Sequence, residues 1–127
     1  MIAIIDYGAG NIFSVKNALD YLGVENKLTA DKNEICAADE IILPGVGAFP
    51  WAMKMLRDSG LVDTIREEAR KKPFLGICLG MQLIFDKGYE FEETDGLRLI
   101  GGKVEKIDRK NMIIPHMGWN ELEINRD

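Results

Sequence analysis

Phe74-Leu75-Gly76-Ile77-Cys78-Leu79-Gly80-Met81-Gln82 is the stretch that decides the fold. Phe74–Ile77 is a short apolar run with the character of a buried strand, and Leu79–Phe85 has helical spacing. Between them stands Gly-x-Cys-x-Gly, the cysteine form of the nucleophile elbow. The spacing has a steric cause. A nucleophile raised on a sharp strand-to-helix turn brings crossing backbone against the residues two positions to either side. Glycines at 76 and 80 remove the side chains that would collide. Cys78 is therefore expected at the C-terminal edge of the strand and at a helix N-terminus, whose positive end favours thiolate over thiol. The N–H of Leu79 points at the same place and can stabilise a developing oxyanion. An isolated cysteine at a strand end is more often a core residue; the glycine frame and the strand-to-helix setting favour catalysis. Cys36, in Asn33–Ala38, has no such frame and reads as a small packing residue.

Working outward, the same alternation of short apolar strands and helices recurs. Met1–Asp6 reads as a strand running into a glycine turn at Gly8 and Gly10. Asn11 can cap a helix whose apolar positions are Ile12, Val15, Leu19 and Leu22, and Gly23 ends it. Val24–Thr29 and Glu40–Leu43 read as further strands, the latter stopped by Pro44-Gly45-Val46-Gly47. Trp51–Arg57 and Leu61–Lys71 read as helices divided at Ser59-Gly60, and Pro73 ends the second. The pattern implies an α/β domain with a mostly parallel sheet covered by helices on both faces. Beyond Gly88 the pattern changes. Leu97–Ile100, Lys103–Ile107 and Met112–Ile114 predict later, antiparallel strands, and Glu121–Asp127 the start of another.

Composition bounds the function. The chain has 127 residues, 46% apolar and 29% charged, with 16 Lys+Arg against 21 Asp+Glu and a net charge of −5. That balance is a poor footprint for a nucleic-acid binder. No apolar run approaches the roughly 20 residues of a membrane helix, and Met1–Ile5 is too short for a signal peptide. Two cysteines are too few for a disulfide framework, so a reducing cytoplasm is expected. One histidine, His116, excludes a multi-histidine metal site. No metal and no cofactor are expected. Gly8-Ala9-Gly10-Asn11-Ile12-Phe13 fails as a dinucleotide fingerprint at its third glycine, and no Walker loop is present. Pro44–Ala48 is either a plain turn or a loop whose backbone N–H groups face an anion.

A cysteine nucleophile usually works with a histidine base oriented by a carboxylate. The only candidate is His116, in Pro115-His116-Met117-Gly118-Trp119-Asn120, where Pro-His more often positions backbone than supplies a base. Two alternatives to an amidotransferase follow: a cysteine hydrolase using His116, such as a peptidase or deglycase, and a non-catalytic module binding a partner through Trp119.

Four segments, in order, resemble class I (triad) glutamine amidotransferases of flavodoxin-like fold, and within them the family of glutaminase subunits of imidazole glycerol phosphate synthases. They are Asp6–Asn11, Leu43–Phe49, Gly76–Gln82 and Pro115–Asn120. The elbow is shared widely in class I; the Asp-Tyr-Gly-x-Gly-Asn and Pro-His-Met-Gly-Trp-Asn segments are much narrower. The resemblance implies that Cys78 attacks the glutamine side-chain amide to form a thioester. It implies an oxyanion hole of the Leu79 N–H and that of Val46 or Gly47, and glutamine contacts from Gly47 and Gln82. Ammonia would pass to a (βα)8-barrel cyclase/synthase subunit, the heterodimer partner in histidine biosynthesis, with Asn11, Met117, Trp119 and Asn120 facing it. Trp119 could equally fill a sheet edge, and Asn11 could only cap its helix. The family's catalytic histidine and glutamate lie in a later His-Pro-Glu segment that these 127 residues do not include. The expectation is thus a domain whose C-terminal portion is missing here, with its nucleophile but without its base.

Overall fold

The computed structural model of the chain describes residues 1–108, 110 and 113–125. Four parallel strands form the main sheet: β1 (Ile2–Ile5), β2 (Asn26–Thr29), β3 (Glu40–Leu43) and β4 (Phe74–Gly76), in the order β2-β1-β3-β4. Among the described residues five helices accompany them: α1 (Ile12–Tyr21), α2 (Lys32–Ala37), α3 (Phe49–Asp58), α4 (Val62–Glu68) and α5 (Leu79–Leu83). The strand order reverses direction after β2. With right-handed crossovers, α1 then lies on one face and α2, α3 and α4 on the other. The side chains agree. Ile5, Ile41 and Leu43 join Ile35, Met53, Leu56, Ile65 and Leu83 in one buried cluster, while Ile4 and Ile42, on the alternate face, stand outside it. The expected mostly parallel sheet with helices on both faces is therefore what the chain forms. The α1 face is the more thinly covered: α1 buries no residue fully, and Leu75 of β4, in register with Ile42, is 54% exposed.

Local chemistry explains the ends. The Asn11 side chain accepts from the Ser14 N–H at 3.3 Å, capping α1, and Gly23 takes φ +69° just beyond it. The helix α2 was not anticipated. Asp31 caps it by accepting from the Asn33 and Glu34 amides, and Ile35 is its buried residue. This turns Cys36 outward: it is exposed, not the packing residue its small size suggested. The helix after the elbow is shorter than its periodicity implied. It stops at Leu83 because Phe85 already belongs to β5 (Phe85–Gly88) of a second sheet, with β6 (Thr94–Asp95) and β7 (Ile100–Val104). In that sheet β5 pairs antiparallel with β6, which lies outside the expected segments, but parallel with β7, the strand that does overlap them, so the expected antiparallel pairing of those segments is not what forms. Leu97–Leu99 forms no strand: Leu97 N–H is tied to the Leu83 carbonyl (2.7 Å) and Leu99 N–H to that of Ile84 (2.8 Å). Only Lys103 and Val104 of the expected Lys103–Ile107 strand are paired. Ile113–Ile114 and Glu121–Asn125 are not strands, while Met112, Arg126 and Asp127 lie outside the described residues.

One polar cluster ties α2 to α4. Glu68, 6% exposed, pairs with the Lys71 and Lys72 ammonium groups, each at 2.8 Å. Lys72 also donates to the carbonyls of Ile35, Cys36 and Ala38, satisfying the C-terminal end of α2. The hydrogen bonds from Lys71, then Lys72, hold the Glu68 carboxyl down at about 2, against 4.5 unperturbed. A depressed carboxyl stabilises the fold fully above its unfolded value and loses that contribution as pH falls through the folded one. Urea midpoints of the natural protein and Glu68→Gln should therefore differ most near neutrality, and converge between 4.5 and about 2. A gap independent of pH in that range would contradict the assignment.

Candidate active site

The reversal of strand order places a crevice at the C-terminal ends of β1 and β3, where open α/β sheets hold ligands. The loop Asp6–Asn11 leaves β1 there, Pro44–Ala48 leaves β3, and the elbow leaves neighbouring β4. Cys78 stands between β4 and α5 at φ 54°, ψ −116°. Left-handed backbone is rare for a residue with a side chain and costs on the order of 1–3 kcal/mol, so the surroundings must impose it. They do so through backbone. Ile77 N–H donates to the Leu43 carbonyl at 3.0 Å, docking the turn on the end of β3. A Cβ at Gly80 would lie 1.9 Å from that carbonyl oxygen, and one at Gly76 2.6 Å from the Met81 Cα. The two glycines of the motif are thus required by crossing main chain on opposite sides of Cys78. The cysteine itself is exposed.

Two groups of unengaged amides surround this turn. Gly80, Met81 and Gln82 N–H groups bond back to Ile77 and Cys78, but among the described residues the Leu79 N–H donates to nothing. The same holds for the consecutive amides of Gly45, Val46, Gly47 and Ala48. Pro44 and Gly45 are buried, whereas Val46 and Gly47 are exposed, and Gly47 takes φ +111°. A Cβ at Gly45 would meet the Gly80 N at 2.7 Å and the Leu79 Cβ at 2.9 Å, so the β3 loop lies directly against the elbow. Of the two readings of Pro44–Ala48, the loop with free donors is the one this geometry favours. The helix behind Cys78 has only five residues, so free amides rather than a long helix dipole are the site's main electrostatic resource.

A family model of class-I glutamine amidotransferases matches residues 3–125. The chain belongs to that family. It is 52% identical over 128 residues to the imidazole glycerol phosphate synthase subunit HisH of Listeria monocytogenes serotype 4b (strain CLIP80459), covering 99% of this chain and 62% of that one. It is 54% identical over 124 residues to the same-named subunit of Bacillus thuringiensis (strain Al Hakam), covering 97% and 59%. The chain thus spans about three-fifths of the length of these curated relatives. In fold it is similar to a glutamine amidotransferase crystal structure, with TM-score 0.63 and 24% identity over 76% of this chain and 52% of that one.

In this amidotransferase chain the remaining candidates are dispersed. Gln82 is half-buried, one turn along α5 from Cys78. Asn11 is engaged as a helix cap, yet with Val46 it lines one cavity of about 510 Å³. Met117, Trp119 and Asn120 are exposed, and no hydrogen bond among the described residues joins them to Asn11. His116 is exposed too. Its Nε2 lies 2.7 Å from the Asn120 Nδ2, and no hydrogen bond ties it to Cys78. Among the described residues, no helix is long and apolar enough to cross a membrane. Sequence reasoning missed two side chains that hold the β3 loop. The Glu90 carboxylate accepts from the Phe49 N–H at 2.8 Å, and the buried Tyr7 hydroxyl donates to the Pro44 carbonyl at 3.0 Å. Neither contact follows from spacing, since the partners are 41 and 37 residues apart.

Proposed function

We propose that this chain is the nucleophile-bearing part of the glutaminase subunit of an imidazole glycerol phosphate synthase. The observation that carries the reading is the strained Cys78 elbow packed against a loop of unengaged amides, in a chain about half identical to HisH subunits. The Cys78 thiolate attacks the side-chain carbonyl carbon of glutamine. The oxygen takes up negative charge, met by the Leu79 N–H and that of Val46 or Gly47. As the tetrahedral species collapses, the C–N bond breaks and protonated nitrogen leaves as ammonia. Water then attacks the γ-glutamyl thioester, releasing glutamate and restoring the thiolate. Gly47 and Gln82 contact the substrate. The ammonia passes to a (βα)8-barrel cyclase/synthase subunit in a cytoplasmic heterodimer, across a face that includes Asn11, Met117, Trp119 and Asn120. The complex makes imidazole glycerol phosphate and an aminoimidazole carboxamide ribotide from a phosphoribulosyl precursor.

His116 is not the base in this reading. Its engagement with Asn120 supports a part in shaping the Pro115–Asn120 segment, and the base comes from residues beyond these 127, in the His-Pro-Glu segment of the family. A glutamate-release assay tests this. A polypeptide of these 127 residues, with the barrel subunit present, should turn over at least about 10²–10⁴-fold more slowly than the natural protein, the usual contribution of general acid–base catalysis. In the natural protein His116→Ala should keep most glutaminase activity. Turnover by the 127 residues alone, lost on His116→Ala, would make His116 the base and favour a hydrolase of another kind.

A further inference from the structure

Two consecutive carbonyls leave β3 in opposite directions. That of Leu43 accepts from the Ile77 N–H of the elbow, and that of Pro44 accepts from the Tyr7 hydroxyl (3.0 Å) on the loop after β1. Beyond them come four amides without partners among the described residues, and then the Phe49 N–H held by Glu90. The free donors are therefore strung between two side-chain anchors. Between those anchors the chain includes Gly45 and Gly47, which resist rotation least. Tyr7 is 5% exposed, its ring is part of the central apolar cluster, and its hydroxyl lies 3.0 Å from where a Gly45 Cβ would stand. The ring alone would satisfy the packing; among the described residues the hydroxyl's one polar partner is the Pro44 carbonyl. Burial pushes the phenol up to about 12, so near neutrality it is a fixed donor.

We propose that Tyr7 is a positioning residue for the oxyanion loop: by holding the Pro44 carbonyl, its hydroxyl fixes the Pro44–Gly45 peptide and with it the direction of the Val46 and Gly47 amides. The proposal rests on the glutaminase reading. It predicts a selective defect, because a misdirected amide weakens oxyanion binding more than it weakens binding of neutral glutamine. Tyr7→Phe keeps the ring and removes the hydroxyl. In the natural protein assayed with its synthase partner, below the thermal midpoint of the variant, kcat for glutamate release should fall roughly 10- to 100-fold with KM nearly unchanged. Direct alkylation of Cys78 by iodoacetamide passes through no oxyanion and should keep its rate. Ser59→Ala, which removes a hydroxyl bond to the Leu56 carbonyl at the far end of α3, controls for general loosening and should leave kcat alone. Equal kcat in Tyr7→Phe and the natural protein would overturn the positioning role. So would a loss matched by Ser59→Ala, or a parallel fall in Cys78 alkylation. If the natural protein releases no glutamate at all, the glutaminase reading itself fails.

Discussion

Replacing Cys78 by alanine should reduce glutamate release by a factor on the order of 10⁴–10⁶, the scale of loss when a covalent nucleophile is deleted and only oriented binding remains. The elbow leaves no substitute. Cys36, the other thiol, lies on α2 beside the Lys72 cluster, far along the chain from the glycine frame. Because the left-handed backbone at Cys78 strains any residue with a side chain, alanine inherits the strain rather than relieving it, and the fold should persist. Thermal unfolding of the variant should stay close to that of the natural protein while activity disappears. Residual turnover within about ten-fold of the natural rate would mean that another group attacks the amide.

Gly80→Ala should have the largest effect on stability. Its Cβ would stand 1.9 Å from the Leu43 carbonyl oxygen, 2.8 Å from the carbon and 3.1 Å from the Pro44 carbon. No rotamer relieves a clash between a methyl group and main chain, so the end of β3 must part from the elbow. Overpacking of this kind costs roughly 3 kcal/mol or more, equivalent to a fall in Tm of roughly 10 °C. Activity should fall with it, because the same displacement separates the β3 loop from Cys78. Gly118→Ala is the contrast: nothing lies within 4 Å of its Cβ, and the change in stability should stay within about 0.5 kcal/mol. A Gly80→Ala protein that melts with the natural one would show that the turn is looser than its packing implies.

The parts of the site that lie close in sequence were legible from it. Gly76-x-Cys78-x-Gly80 specifies its own geometry, because each glycine answers a contact within the turn or with the adjacent strand. Asn11 and Gly23 likewise mark the ends of α1 with local hydrogen bonds. What failed depends on distant partners. Helix α5 ends at Leu83 because Gly96–Leu99 returns to bond Asp86, Leu83 and Ile84, an arrangement that periodicity cannot encode. The parallel pairing of β5 with β7 is lost for the same reason, since alternation identifies a strand but not its neighbour. Cys36 was misjudged because α2 went unrecognised: six residues are too few for a periodic signal, and its one inward position is taken by Ile35. Tyr7 and Glu90 carry no local signature, although both hold the loop on which the chemistry is argued to depend.

The central claim is that glutamine is opened through a thioester on Cys78. The direct measurement is to mix the natural protein and its synthase partner with glutamine, quench in acid during turnover, and map the mass of each cysteine-containing peptide. A γ-glutamyl adduct on the peptide containing Cys78, absent in Cys78→Ala and absent from Cys36, is the predicted result. Steady glutamate release with no adduct on Cys78, or with the adduct on Cys36, would contradict it.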